Sequence, residues 1–169
     1  WRSPYITHPV AVATLVQRAR QRLSPQDNPY TRLMVDYAAA ELIGTQAERA
    51  AVDALLTLRP QAWRLRLRRA HLEIQVGNRE GALRHLRAFA VDQAPAATSM
   101  FVLADRASYG DVAEVEALLA AGVLASDPLR RQYVEARIAW SRRAADTGAR
   151  LDALATAAAA AGVFQIEYQ

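Results

Sequence analysis

Apolar residues recur at steps of three and four along most of the chain, the spacing of one helix face. In the stretch 61–76, Trp63, Leu67, Ala70 and Ile74 form one stripe, and Leu65, Leu72 and Val76 widen it. Between such stretches the chain is punctuated. Prolines fall at Pro25, Pro60, Pro95 and Pro128, spaced 35, 35 and 33, and glycines at Gly44, Gly77 and Gly110, spaced 33 and 33. Proline suits a helix start, where its fixed φ and missing N–H do no harm, and glycine suits a helix end. A period near 34 with the two residues in alternating roles predicts stacked helical hairpins.

Cap residues place the boundaries. Thr45 to Glu48 has the form of a capping box just after Gly44, and Asp111 with Glu114 is a weaker version after Gly110. Asn78 follows Gly77, while Asn28-Pro29 and Asp127-Pro128 each give an N-cap with proline behind it. The predicted elements are one incoming helix over 9–23, then hairpins 29–43 with 46–58, 61–76 with 79–91, 96–109 with 112–121, and 128–146 with 149–161. The corresponding divisions are 1–28 (incoming helix and linker), 29–60, 61–94, 95–127 and 128–161 (four hairpins), and 162–169 (tail). The last hairpin's first helix is one turn too long for the pattern, and its glycine, Gly148, lies 38 beyond Gly110. The tail from Val163 to Tyr168 alternates apolar and polar, as a strand or as the start of a further helix.

The pattern resembles the tetratricopeptide repeat. Ala70, Gly77 and Ala82 match the family's small–glycine–small spacing, with Leu86 as the large packing residue and Pro95 near the closing proline. Gly44 with Pro60 and Gly110 with Pro128 continue the match, but Tyr37 and Leu103 stand where small residues belong. The fourth repeat keeps Ala136 and departs in length. The resemblance covers 29–161 and implies an all-α, right-handed α-solenoid whose first helices line a concave groove. A related helical-hairpin repeat fits the same residues.

Composition narrows the function. The chain of 169 residues is 52% apolar, so it can bury a core, and with no Cys it has neither disulfides nor a thiolate metal site. It starts at Trp1, as expected of a piece of a longer protein. All 21 basic residues are Arg and none is Lys, the mark of a GC-rich bacterial genome. His8, His71 and His85 lie far apart, and no nucleotide, hydrolase or metal motif occurs, so the expectation is no enzyme, no cofactor and no metal. The longest apolar run, Ala153 to Val163, is too short and too Ala-rich to span a bilayer, and suits close helix packing or an apolar face awaiting a neighbour.

Charge is distributed in blocks. Residues 59–87 carry a net +6, 88–127 a net −5 and 128–150 a net +4. On the helix 61–76, Arg64, Arg68, His71 and Gln75 form a polar stripe opposed to the apolar one, and by the resemblance it falls on the groove-facing positions. Arg130, Arg137 and Ser141 occupy similar phases on the last hairpin, and Phe101 lies in the more apolar middle. The expected site is therefore Arg64, Arg68, His71, Gln75, Phe101, Arg130 and Arg137, holding an acidic segment or surface of a partner protein, because the guanidinium fork grips carboxylates bidentately. The competing reading has these Arg solvated or paired internally, with Glu73 and Arg69 an exposed pair of little energy. The leading function is a non-catalytic protein-interaction scaffold. Similarity to Arg- and Ala-rich bacterial repeat proteins implies a narrower version: the periplasmic part of an exopolysaccharide export system, docking a polysaccharide-modifying enzyme. The alternatives are nucleic acid, opposed by the acidic block and the scarcity of stacking aromatics, and an anionic polysaccharide. For the last, Trp63 and Trp140 are candidates, although both have the phase of core residues.

Overall fold

The computed structural model describes residues 9–92 and 94–162. His8, Trp1 and the alternating tail 163–168 lie outside them. Every regular element among the described residues is an α-helix. They are α1 (Pro9–Arg22), α2 (Pro29–Ile43), α3 (Thr45–Leu58), α4 (Trp63–Gln75), α5 (Arg79–Arg87), α6 (Ala96–Ser108), α7 (Val112–Ala120), α8 (Pro128–Ser141) and α9 (Thr147–Ala160). Contacts divide the chain into two compact units, 1–78 and 79–169, so the division falls just behind the Gly77 turn.

The predicted starts of α2 and α8 stand on their caps. Asn28 accepts from the Tyr30 amide at 2.9 Å and Asp127 from the Arg130 amide at 3.1 Å, each followed by proline. The two capping boxes do not form. Thr45 is already inside α3 behind Gly44, and Glu48 is drawn away to Arg68. Asp111 makes no side-chain cap bond, because its carboxylate faces Arg87 and Arg106. The helix predicted over 79–91 ends at Arg87, and Val91, beyond it, uses its carbonyl to accept the Ser99 hydroxyl at 2.7 Å.

The first unit closes around Val52, Leu55, Leu65 and Leu72, with Tyr30, Leu33 and Tyr37 of α2 packed against them. α2 rests on α1 and α3, and α3 on α4. A large aliphatic side chain buried this way contributes about 1.5–3 kcal/mol. Tyr37, at a place where the sequence pattern expects a small residue, is one of the side chains packed on this cluster. In the second unit α6 packs most extensively on α8, and also meets α5 and α7, while α8 supports α7 and α9. Leu103, the other departure from the small-residue rule, is wholly buried. In the Ala-rich α9, Leu154 and Ala158 are buried whereas Ala153, Ala159 and Ala160 are exposed.

One turn recurs. At Gly77 the amide bonds Ile74 O and the next amide, Asn78, bonds Glu73 O; at Gly110 the same pair runs to Ala107 O and Arg106 O. This is the Schellman closure, with the glycine left-handed at φ 77° and 98°. The same closure ends α7 at Gly122, with φ 97°, and a further copy, at the end of α8, holds no glycine. Arg143 bonds Trp140 O and Ala144 bonds Ala139 O, with Arg143 at φ 54°. The first helix of the last hairpin therefore ends at Ser141 and not at 146, and its turn residue lies 33 beyond Gly110, on the period. Gly148, on which the predicted boundary rests, sits within α9.

Candidate functional site

In the first unit the polar stripe of α4 is divided. Arg64 is exposed, its guanidinium 5.2 Å from the centroid of the Trp63 ring, and it engages no carboxylate among the described residues. Arg68 is half-buried and held as a fork by Glu48, with Nη2 donating to Oε2 at 2.8 Å. The Glu48 side chain is only 6% exposed, so this pair is a fixed internal contact. Burial works against the Arg68 charge, but the hydrogen bond and charge of Glu48 outweigh it and hold the guanidinium above its ordinary value. Tyr37 completes the group, donating to Glu41 at 2.8 Å; burial, then Glu41, push its phenol up. His71 is half-buried, and Gln75 is exposed and accepts a long 3.4 Å bond from the Thr45 hydroxyl.

The second unit gathers a different set. Arg137 Nη2 donates to Ser108 Oγ at 2.8 Å, and Ser108 donates to the Ala104 carbonyl at 2.7 Å, fastening α8 to α6. Its Nε is buried without an acceptor among the described residues. Tyr109 and Tyr133 share this neighbourhood. Burial raises both phenols; the charge of Asp105 adds to that and Arg137 opposes it. Phe101 is half-buried on α6, two turns before Ser108. Arg130 is paired with its own N-cap residue, Asp127. Arg64 is thus the expected arginine with its fork open to solvent, whereas Arg68, Arg130 and Arg137 are engaged within their own units.

Two ionic clusters escaped the sequence reading. Glu73, predicted to form an exposed pair with Arg69, is buried at 3% side-chain exposure. It accepts from Arg69, from Arg49 Nη2 at 2.8 Å and from Asn78 Nδ2 at 2.6 Å, while Arg69 also donates to Asp53 at 2.7 Å. At the next turn Asp111 accepts from Arg106 Nε at 2.7 Å and Arg87 Nη2 at 2.9 Å. Burial raises both carboxyls, and their donors more than reverse it, leaving Glu73 and Asp111 below the usual carboxylate range. The available signal was the five-residue step across each glycine: Glu73 to Asn78 and Arg106 to Asp111 join the third residue from the helix end to the second residue beyond its cap.

Trp63 is partly buried, but Trp140 is 59% exposed, against the core position its phase predicted. Trp140 follows the buried Tyr133 and Ala136 by seven and four residues, on the face they occupy, but stands in the last turn of α8, where that face is left open. The second unit also has two open clefts. One of about 300 Å³ has Leu119, Ile138 and Ala139 as its floor, under the pairs Arg142–Glu116 and Arg150–Asp146. The other, of about 410 Å³, lies beside the Asp111 cluster, with Phe89 and Leu118 in its wall. The charges of the first cleft are compensated in pairs, Arg131–Glu135 completing the set.

Among the described residues no group of three His, Asp or Glu could hold a metal ion, and no helix is long and apolar enough to cross a membrane. Searches among family models, curated proteins and solved structures found no match to the chain.

Proposed function

We propose that the chain is a non-catalytic docking module, an α-solenoid of helical hairpins that takes an acidic segment of a partner protein along the exposed side of α4. The carrying observation is the 33-residue spacing of the turns that end α4, α6 and α8, at Gly77, Gly110 and Arg143; the same turn at Gly122 ends a second helix, α7. It supports repeated hairpins, each too small to bury its own apolar face, and repeats of this kind offer extended surfaces for partners. The packing of α6 on α8, the first helices of successive hairpins, agrees with it. The narrower reading, a periplasmic scaffold of an exopolysaccharide export system docking a polysaccharide-modifying enzyme, rests on the sequence resemblance alone.

Arg64 is the contact residue in this reading, because its fork is exposed and uncommitted. Arg68 is a positioning residue whose charge is met by Glu48. The test separates them. Arg64→Glu is expected to weaken binding of a fluorescent oligo-glutamate peptide about tenfold at low salt, with helicity and urea midpoint unchanged. Arg68→Glu is expected to lower the midpoint by placing a second carboxylate beside buried Glu48. Wild-type peptide affinity in Arg64→Glu would remove the α4 stripe as the docking surface.

A further inference from the structure

We infer that the exposed end of α8, where Trp140 stands beside Arg143, is a second docking site, and that it receives an acid-flanked apolar helix of a partner protein. The inference shares with the proposed function the premise that the chain docks proteins, but it concerns a different surface and different residues.

Three observations meet there. The first is a break in burial at one register position. Ile74, Ala107 and Trp140 are successive at 33 residues, each three before its turn residue. Ala107 is completely buried, and it lies in a helix whose most extensive neighbour is another helix, α8. Trp140, one period later, is 59% exposed. The exposure is not fraying. Arg142 bonds the Ile138 carbonyl at 3.0 Å, Arg143 bonds that of Trp140 at 2.9 Å, and the flanking Ile138 and Ala139 are buried. A large, rigid side chain is therefore held in water by a well-anchored helix, the form of an interface anchor.

The second observation is backbone strain in the same turn. Arg143 has φ 54°, whereas the equivalent positions are Gly77 and Gly110. A side chain in the left-handed region costs about 1–2 kcal/mol relative to glycine, and such strain concentrates at functional sites. The Arg143 guanidinium is exposed and, among the described residues, has no hydrogen-bond or ion-pair partner. Within the fold the side chain thus adds strain without a compensating contact; what it adds is a free cation close to Trp140.

The third observation identifies the occupant. One period earlier Ala107 is buried in α6, a helix packed most extensively on another helix, and two periods earlier Ile74 is half-buried, so the register position suits helix-on-helix packing. Arg130, Arg131, Arg142 and Arg150 are paired with Asp127, Glu135, Glu116 and Asp146, which leaves Arg143 as the uncompensated cation next to Trp140, so the complementary helix carries a carboxylate beside its apolar stripe. Trp140 would lie over small or branched apolar residues of that helix, and the Arg143 fork would take a carboxylate one turn away.

The experiment uses the full chain and a synthetic helical peptide of roughly 18 residues, about five turns, with an Ala/Leu stripe flanked by Glu. The expected result is saturable binding with a blue shift of tryptophan emission. Trp140→Ala should weaken it about tenfold, as the loss of a central aromatic anchor does. Arg143→Gly should weaken it several-fold while raising the urea midpoint, which separates lost contact from lost folding. Arg64→Glu should leave this binding within about twofold, so failure here and failure at α4 are distinguishable. Three results would overturn the inference: unchanged affinity in Trp140→Ala, equal binding of oligogalacturonate at the same residues, or a blue shift that depends on protein concentration alone, which would make a second copy the occupant.

Discussion

The turn at Gly77 and the turn at Gly110 share a backbone and differ in every charge. In the first, an acid precedes the glycine and an amide follows it, with Arg49 and Arg69 reaching in from the sides. In the second, an arginine precedes and an acid follows, with Arg87 alongside. The hydrogen bonds of the main chain set the geometry, which requires only that the residues three in from the helix end and two beyond its cap fit each other. At the turn of Arg143 the same two places hold Ala139 and Ala144. This helix-ending turn is thus carried by backbone form, and side-chain identity is free to vary where complementarity survives.

The largest test of that comparison removes the acid. Asp111→Ala strands Arg106, whose side chain is 5% exposed, and is expected to cost about 3–5 kcal/mol in urea denaturation. Asn78→Ala removes the residue at the corresponding place but leaves Glu73 with two arginines, and should cost about 1–2 kcal/mol. Equal losses would mean that the two clusters are not counterparts. Next in size are the backbone changes. Gly77→Ala, where an added Cβ meets nothing within 4 Å, should lose about 1–2 kcal/mol to its positive φ, and Arg143→Gly should gain about 1 kcal/mol by relieving the same strain. A loss in Arg143→Gly would mean that its side chain supports the fold.

The smallest effect is in acid. Glu73 and Asp111 are held below their ordinary values, so the unfolded chain takes up their protons first. Their contribution is complete above the usual carboxylate range, near about pH 4, and is lost as pH falls through the folded values. Asp111→Asn should flatten that decline in the urea midpoint below about pH 5, whereas Asn78→Asp should not.

The helices were legible because proline, glycine and Asx caps act locally: Asn28 and Asp127 start α2 and α8 where a reader of the sequence places them. The end of α8 was not, because Arg143 adopts the left-handed conformation without the residue that advertises it. The charge pattern was legible as a pattern and not as contacts. Arg68 belongs to Glu48, twenty positions earlier, and Arg106 to Asp111 around a turn. Nothing in helical phase distinguishes such a buried fork from a solvated one, since both place Arg beside the apolar stripe. Arg64 and Arg68 are four residues apart on one face and have different fates because only the second meets an acid from α3.

Arg137 and Arg49 each leave a buried Nε without an acceptor among the described residues. A chain that draws every cation from arginine inherits five hydrogens per charge, in a plane, whether or not the surroundings can receive them. Lysine, which this polypeptide never uses, carries its donors at the tip alone; a long amine reaching Ser108 from position 137 would leave no stranded hydrogen behind it. At these two half-buried positions a bias in residue usage adds donors that the described side chains do not meet.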